Sequence, residues 1–556
     1  MDMQRTLLAV ALSFLILIGY QYFFAPAPQP PAQVQQAQQQ QLTPPASTKE
    51  TPGTAAIASA AVTGIQAPRL EEGQSARDIV VETPLYRAVL TEAGGGFKSF
   101  TLKKYRRDNN SGQPMELVRT DNPVELPVLF TPDVASPLLP MYQAAQQQLT
   151  VDQAEGQTLS MTAASGNLQV QRSMVFKADS YLVDLVIQLT NGGGEPLRLA
   201  PALHLTSRPF TANASSSMYV FQGPAALLQN ELLEIKDDDL SKGPRVLQGA
   251  LSWVGYEDTY FLSALIPGDA QPRSATITAA GDRRVTSLAE APVTLAPGDS
   301  VRLSYQLYFG PKKLDALKEA GHELHRAVDF GWFDPVAKPM LALLNLLYGL
   351  FGNYGVAIIL VTVVVKLLFW PITHKGMKSM KNMQKLQPKM AKIRERYKND
   401  PAMMNQELMA MYKTYKVNPL GGCLPMVLQI PVFFALYKVL LIAIELRHAP
   451  FLLWINDLSA PDRLGIGFDI PYLGGIPVLT LLMGASMFLQ QRMTPTTLDP
   501  TQAKIMMFLP VVFTFMFINF SSGLVLYWFV NNLLAILQQQ VINRQTAEAD
   551  RIRNDT

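Results

Sequence analysis

Apolar residues recur along this chain in three rhythms, and each predicts a different element. Unbroken apolar runs occupy residues 6–24, 355–373, 420–441, 476–490, 505–520 and 524–537. With no polar face to offer water, they predict six membrane-crossing helices. Between residues 71 and 312 the rhythm is two, clearest in Tyr181-Leu-Val-Asp-Leu-Val-Ile-Gln-Leu189 and where Val301, Leu303, Tyr305, Leu307 and Phe309 alternate with Arg302, Ser304 and Gln306. Gly94-Gly-Gly96 and Asn191-Gly-Gly-Gly194 punctuate these strands and no ten-residue helical pattern intervenes, which predicts an antiparallel β-sandwich. The third rhythm is three-four. It places Met383, Leu386, Met390, Ile393 and Tyr397 on one helical face and Met404, Leu408, Met411 and Tyr415 on another. Asn399-Asp400-Pro401 lies between them, with Asp400 able to cap and Pro401 to open the second arm of an antiparallel helical hairpin.

The remaining stretches divide the chain. Residues 26–68 are rich in Pro, Gln, Ala, Ser and Thr and read as a tether without a core. A cleaved signal peptide is the competing reading of residues 6–24, but the run is long for one and Ala25-Pro-Ala-Pro28 disfavours processing, so an uncleaved anchor is expected. A helical pattern covers 312–328. Trp332 to Tyr348 then mixes aromatic and aliphatic residues, interrupted by Pro335 and Pro339, and predicts an interfacial amphipathic helix. The expected domains are an anchor at 1–25, a linker at 26–70, a β domain at 71–325, the interfacial helix at 326–354, a five-helix core at 355–545 containing the hairpin at 374–418, and a tail at 546–556.

Composition agrees with a membrane protein bearing a large soluble part, since 48% of the 556 residues are hydrophobic and 16% charged. The formal net charge of +3 averages opposite segments. Residues 375–416 hold eleven basic residues less three acidic, a net +8, which places the hairpin in the cytoplasm by the positive-inside rule. Arg5, the segment with Arg492 and Lys504, and the C-terminal Arg544, Arg551 and Arg553 belong to the same side. The β domain and the loop with Glu445, Asp457, Asp462 and Asp469 against Arg447 and Arg463 belong outside. The basic hairpin is either a solvated, topology-setting face near anionic lipid or a docking surface for RNA or an acidic partner. Cys423 is the only cysteine, which excludes internal disulfides, and it lies in an apolar segment. His204 is the only histidine between residues 71 and 312, and no metal-ligand cluster, nucleophile elbow or phosphate loop appears there. An accessory or binding module is expected rather than an enzyme.

One charge stands inside a span. Lys366 lies about 3 Å from the middle of residues 355–373, where a lysine costs about 2.5 to 3.5 kcal/mol unless its ammonium reaches headgroups, a partner or water. Thr362, Gln429, Asn519, Asn531 and Asn532 also lie within apolar runs and are candidates to line a wet cavity around it; helix-to-helix hydrogen bonding is the alternative for Gln429 and Asn531. The last three runs reach only roughly 21 to 24 Å, less than the approximately 30 Å hydrocarbon core, so the bilayer beside them should thin. With no carboxylate relay and no repeated halves, an ion-coupled transporter is disfavoured.

Lys416-Val-Asn-Pro-Leu-Gly-Gly-Cys-Leu-Pro425, Gln429-Ile-Pro431, Met493-Thr-Pro-Thr-Thr497, Ser522-Gly-Leu-Val-Leu-Tyr-Trp528 and Gln538-Gln-Gln540 resemble the YidC membrane protein insertase family in its Gram-negative form, over essentially the whole chain. The resemblance implies an N-terminal anchor, a periplasmic mutarotase-like supersandwich without sugar activity, and a five-helix insertase core in the inner membrane, with both termini cytoplasmic. It also implies insertion of nascent membrane proteins, without catalysis, cofactor or metal, along a hydrophilic groove open to lipid. That groove maps onto Lys366, where the family usually carries arginine, with Thr362, Tyr527 and Trp528 as its neighbours; Gln429, Asn519, Asn531 and Asn532, the polar positions within the runs, complete the expected groove. Lys378, Lys381, Lys385, Lys389, Lys392, Arg394 and Arg396 map onto the docking hairpin. The implied partners are the Sec translocon, the translating ribosome and targeting machinery, and anionic lipids, with no DNA. A polytopic transporter and a membrane-anchored carbohydrate-binding or carbohydrate-active protein are the readings from other classes.

Overall fold

A computed structural model of the chain describes residues 69–70, 76–109, 112–120, 122, 125–133, 138–210, 221–415, 417, 424–468, 470, 473–493 and 500–555. The anchor run, the linker to residue 68, Cys423, and most of the Lys416–Pro425 and Met493–Thr497 stretches lie outside the described residues. The chain divides into two units, Met1–Gly64 with Leu498–Leu509 and Ile65–Thr497 with Pro510–Thr556; the β domain and most of the helical part belong to the second.

The period-two segments fold as strands. A nine-stranded sheet runs, edge to edge, through Glu231–Glu234, Gly223–Leu228, Leu251–Glu257, Phe261–Pro267, Ser300–Pro311, Leu182–Asn191, Leu168–Phe176, Gln157–Ser165 and Gln143–Ala144. At its centre Leu185 pairs with Tyr305 and Ile187 with Leu303, and the alternation buries Val183, Leu185, Ile187 and Leu189. Two five-stranded sheets cover it. One contains Phe97–Arg106, whose Phe100 stacks on Phe309 at 5.1 Å; the other contains Ala202–Ser207, just before Phe210, which meets Tyr256 edge-on at 5.4 Å. The sequence predicts a wholly antiparallel sandwich, but Asp78–Glu82 runs parallel to Gln148–Thr150 and Arg69–Leu70 to Leu138–Leu139. Long excursions separate these partners, so no tight turn dictates their direction. A single helical turn, α1 (Asp237–Leu240), lies between strands.

The helical pattern at 312–328 is realised only in part. Helix α2 (Leu314–Ala320) stops at Gly321, whose φ of 77° is followed by His322 and Glu323 at 52° and 56°, and a 3-10 turn, Leu324–Ala327, completes the segment. The two prolines of the next segment do not interrupt it. Pro335 takes the first turn of α3 (Asp334–Phe351), where its missing N–H has no partner to lose, and the helix continues through Pro339. Ala337, Met340, Leu341 and Leu344 are buried, while Leu346, Leu350 and Phe351 are exposed.

Helix α4 (Tyr354–Lys385) is 32 residues long, about 48 Å against a hydrocarbon core of roughly 30 Å, so it carries the apolar run on into the start of the first hairpin arm before breaking at Leu386. Helices α5 (Gln387–Arg396) and α6 (Pro401–Thr414) follow, and the Asp400 carboxylate caps α6 by accepting from Met403 N at 3.1 Å. Met383, Leu386, Met390, Leu408 and Met411 form a small separate core, joined by Ile393 and Met404. Tyr397 and Tyr415 stay outside it; the Tyr415 hydroxyl accepts from Lys389, whose ammonium also lies over the ring.

Helices α7 (Leu424–Ile442), α8 (Val478–Met493), α9 (Pro500–Phe517) and α10 (Ser522–Asp555) complete the chain. Among the described residues Tyr354–Lys385 and Ser522–Gln545 are long and apolar enough to cross a membrane, while Gln429–Ile442 and Met506–Phe517 are shorter apolar helices. The run at 524–537 is not a short helix: hydropathy falls after Leu537, but the backbone carries the helix on to Asp555.

Candidate functional site

On α4 the buried positions Gly355, Ala357, Ile358, Val361 and Thr362 mark the packed face, which resumes at Thr373 and Gly376. No residue from 363 to 372 is buried. At 100° per residue, Thr362, Lys366 and Thr373 share one face, so Lys366 stands where the packed face opens. Val364, Leu367 and Leu368, on other faces, are 44%, 62% and 71% exposed. Lys366 is half-buried and forms no salt bridge among the described residues.

The two threonines bounding this opening are satisfied. Thr362 Oγ1 donates to Ile358 O at 2.7 Å within its own helix. Thr373 Oγ1 accepts from Gln538 Nε2 on α10 at 2.7 Å. Ile358 also lies against Gly523 at the start of α10. Because 538 − 373 and 523 − 358 are both 165, α4 and α10 run parallel at constant register, and Lys366 is level with Asn531.

Helix α10 is the polar hub of the bundle. Asn531 Oδ1 accepts from Gln429 Nε2 of α7 at 3.1 Å, and Asn532 Nδ2 donates to Ser486 Oγ of α8 at 3.1 Å. Lys381 Nζ donates to Asn543 Oδ1 at 3.0 Å, and Gln539 Nε2 reaches the same oxygen at 3.2 Å. Each of α4, α7 and α8 is therefore tied to α10 by a polar pair, and within an apolar bundle such pairs fix register. The sequence-derived residues thus fall into separate roles. Gln429 and Asn531 meet each other, Asn532 meets Ser486, and Tyr527 and Trp528 join an aromatic cluster in which Trp528 lies 5.2 Å from Phe433 and 5.4 Å from Phe517. Asn519 is not within a span: α9 ends at Phe517, and Asn519 sits in the following turn, accepting from Arg463 Nη2 at 2.9 Å. Thr373, Ser486 and Asn543 are not singled out by the sequence, and Gln538 stands there only within a family motif and not as a helix-to-helix contact. Serine and threonine barely disturb an apolar run, and the Gln538–Gln540 triplet lay past the point where hydropathy ends the span.

The end of the bundle where α4 and α10 begin is stitched shut by the loop after α7. Buried Asp462 accepts from Trp454 Nε1 at 2.6 Å and from the amides of Leu479 and Thr480, capping α8 from outside the helix. Arg463 Nη1 donates to Ile518 O at 2.9 Å beyond the end of α9. Ser522 N and Gly523 N donate to Ala460 O and Leu458 O. Arg447 fastens this loop to the β domain, donating to Arg106 O at 2.7 Å and Arg107 O at 2.9 Å while lying over the rings of Tyr260 and Phe261. Burial lowers the pKa of this guanidinium. Toward the opposite end α4 runs into the hairpin, where Lys378, Lys385, Lys389, Lys392, Arg394 and Arg396 are exposed and only Lys381 is drawn in. Among the described residues no group of three or more His, Cys, Asp or Glu could hold a metal ion.

Residues 78–343 match the family described as the YidC periplasmic domain, and residues 346–549 the family described as the 60Kd inner membrane protein. The membrane protein insertase YidC of Syntrophobacter fumaroxidans is 43% identical over 97% of this chain and 99% of its own. That of Geobacter sulfurreducens is 42% identical over 98% and 99%. A solved structure described as an active YidC insertase with its first transmembrane domain resolved is 20% identical, covers 84% of this chain and 93% of that one, and superposes with a TM-score of 0.35.

Proposed function

Since the chain belongs to the YidC membrane protein insertase family, with a periplasmic β domain and hence a place in the inner membrane, we propose how its own residues carry out insertion. The polar flank of a nascent membrane segment enters the opening on α4 between Thr362 and Thr373, where Lys366 offers it a positive charge. Its apolar flank leaves past Val364, Leu367 and Leu368 into lipid. The loop from Ala443 to Ile476 closes the far end, so no continuous pore forms, and no bond is made or broken. Helix α8, 16 residues and about 24 Å long, favours a thinned bilayer beside the opening. The remaining parts of this reading are six spans including the anchor, cytoplasmic termini, a cytoplasmic hairpin that receives clients, and the Sec translocon, ribosome, targeting machinery and anionic lipids as partners.

The observation that carries the reading is the ten-residue gap in burial around a half-buried lysine on an otherwise packed face. A photo-crosslinking residue placed at Val365 or Phe369 should capture an arrested nascent client, and one at Leu346 on the outer face of α3 should not. Equal capture at all three positions would remove the opening as the substrate path.

A further inference from the structure

Away from Lys366, a cavity of ≈ 400 Å³ lies where the β domain meets α7. Its charged lining is Glu234, Glu257 and Asp329 against Lys236, Lys312 and Lys438, three of each sign. Buried Glu257 and half-buried Lys312 pair at 2.8 Å. Burial holds the carboxyl of Glu257 above the usual range and the exposed Glu234 adds a second carboxyl, so a cation entering the cavity would stabilise both. A volume of this size suits a small polar ligand, and a balanced lining suits one carrying both signs of charge.

The mouth of the cavity points to where that ligand comes from. Ile430, Phe434, Lys438 and Ile442 recur at i+4 along one stripe of α7; the first two are 46% and 41% exposed, and the last two line the cavity. Phe333 stacks on Phe434 at 5.5 Å, and Trp332, directly after cavity-lining Gly331, is 98% exposed. An exposed tryptophan beside an apolar stripe is the arrangement found at membrane interfaces. We propose that this cavity is a headgroup site for a zwitterionic aminophospholipid, with the phosphate toward Lys236 and Lys438, the ammonium toward Glu234 and Asp329, and an acyl chain along Phe434 and Ile430. The inference rests on α7 spanning the membrane, and its test reads lipid binding rather than insertion.

The purified full chain is presented in detergent with dioleoylphosphatidylethanolamine or dioleoylphosphatidylglycerol, and retained lipid is counted by native mass spectrometry. One phosphatidylethanolamine should be retained at least about tenfold more strongly than phosphatidylglycerol, a difference of about 1.4 kcal/mol. Glu234→Gln combined with Asp329→Asn should abolish that preference with the unfolding temperature unchanged, and Trp332→Ala, outside the cavity, should weaken retention of the lipid. Equal retention of the two lipids by the wild type, or a preference untouched by the double variant, overturns the site. Displacement by glycerophosphoethanolamine at the same concentration as the lipid would assign the cavity to a soluble solute and overturn the lipid.

Discussion

Gln538 of α10 donates to Thr373 of α4 at 2.7 Å, and both side chains are more than nine-tenths buried. With Ile358 against Gly523, this bond sets the register that brings Lys366 level with Asn531. The opening on α4 therefore has a lower edge held by one interhelical hydrogen bond.

Gln538→Ala should destabilise the bundle by roughly 0.5 to 2 kcal/mol, the range for interhelical polar pairs in membranes. A double-mutant cycle with Thr373→Val, read by thermal unfolding of the full chain in detergent, should show a coupling. Strict additivity would mean that the pair does not hold the helices together.

Lys366→Arg should retain insertion and Lys366→Glu should be poor, most of all for clients whose translocated tails carry Asp or Glu. Lys366→Leu discriminates, because it removes about 2.5 to 3.5 kcal/mol of insertion cost and should leave the span at least as well folded. Acidic-tail clients inserted equally by wild type and the Leu variant, at matched protein levels, would make the charge a passenger.

Deleting residues 380–412 and bridging the ends should leave the helical bundle assembled and depress client insertion. The Met383–Leu408 core is separate from the main one, so its loss removes a receiving surface without opening the bundle. Insertion at the normal rate would reduce the hairpin's charge to a topology signal.

His204 is buried between Thr131 Oγ1 and Ser287 Oγ, each at 2.8 Å, and burial lowers its pKa to about 4. The unfolded chain therefore binds a proton, between its ordinary pKa of about 6.5 and 4, that the folded domain does not. Stability of the β domain should be full above about pH 6.5 and fall by roughly 3 kcal/mol as pH drops to 4, at 1.36 kcal/mol per pH unit. His204→Gln should flatten that slope. Identical pH profiles for the two proteins, followed by the β-domain unfolding transition, would show that another group governs the window.

The repeat of apolar positions determined which segments become strands and helices, because strand alternation and helical three-four spacing are written in neighbouring residues. It placed the Asp400 cap, the small hairpin core and the unusual charge at Lys366. It misjudged Tyr415, whose spacing matches the hairpin core but whose hydroxyl meets Lys389 instead. It could not find Ser486 or Thr373, whose importance lies in partners 46 and 165 residues away. Nor could it separate Asn519, which lies past a helix end, from Asn531, which lies inside one. Those distinctions belong to tertiary structure: whether a polar group in an apolar run pairs with a distant side chain, caps a neighbouring helix or faces an opening depends on which helices lie beside it. A pattern confined to one segment carries no record of its neighbours.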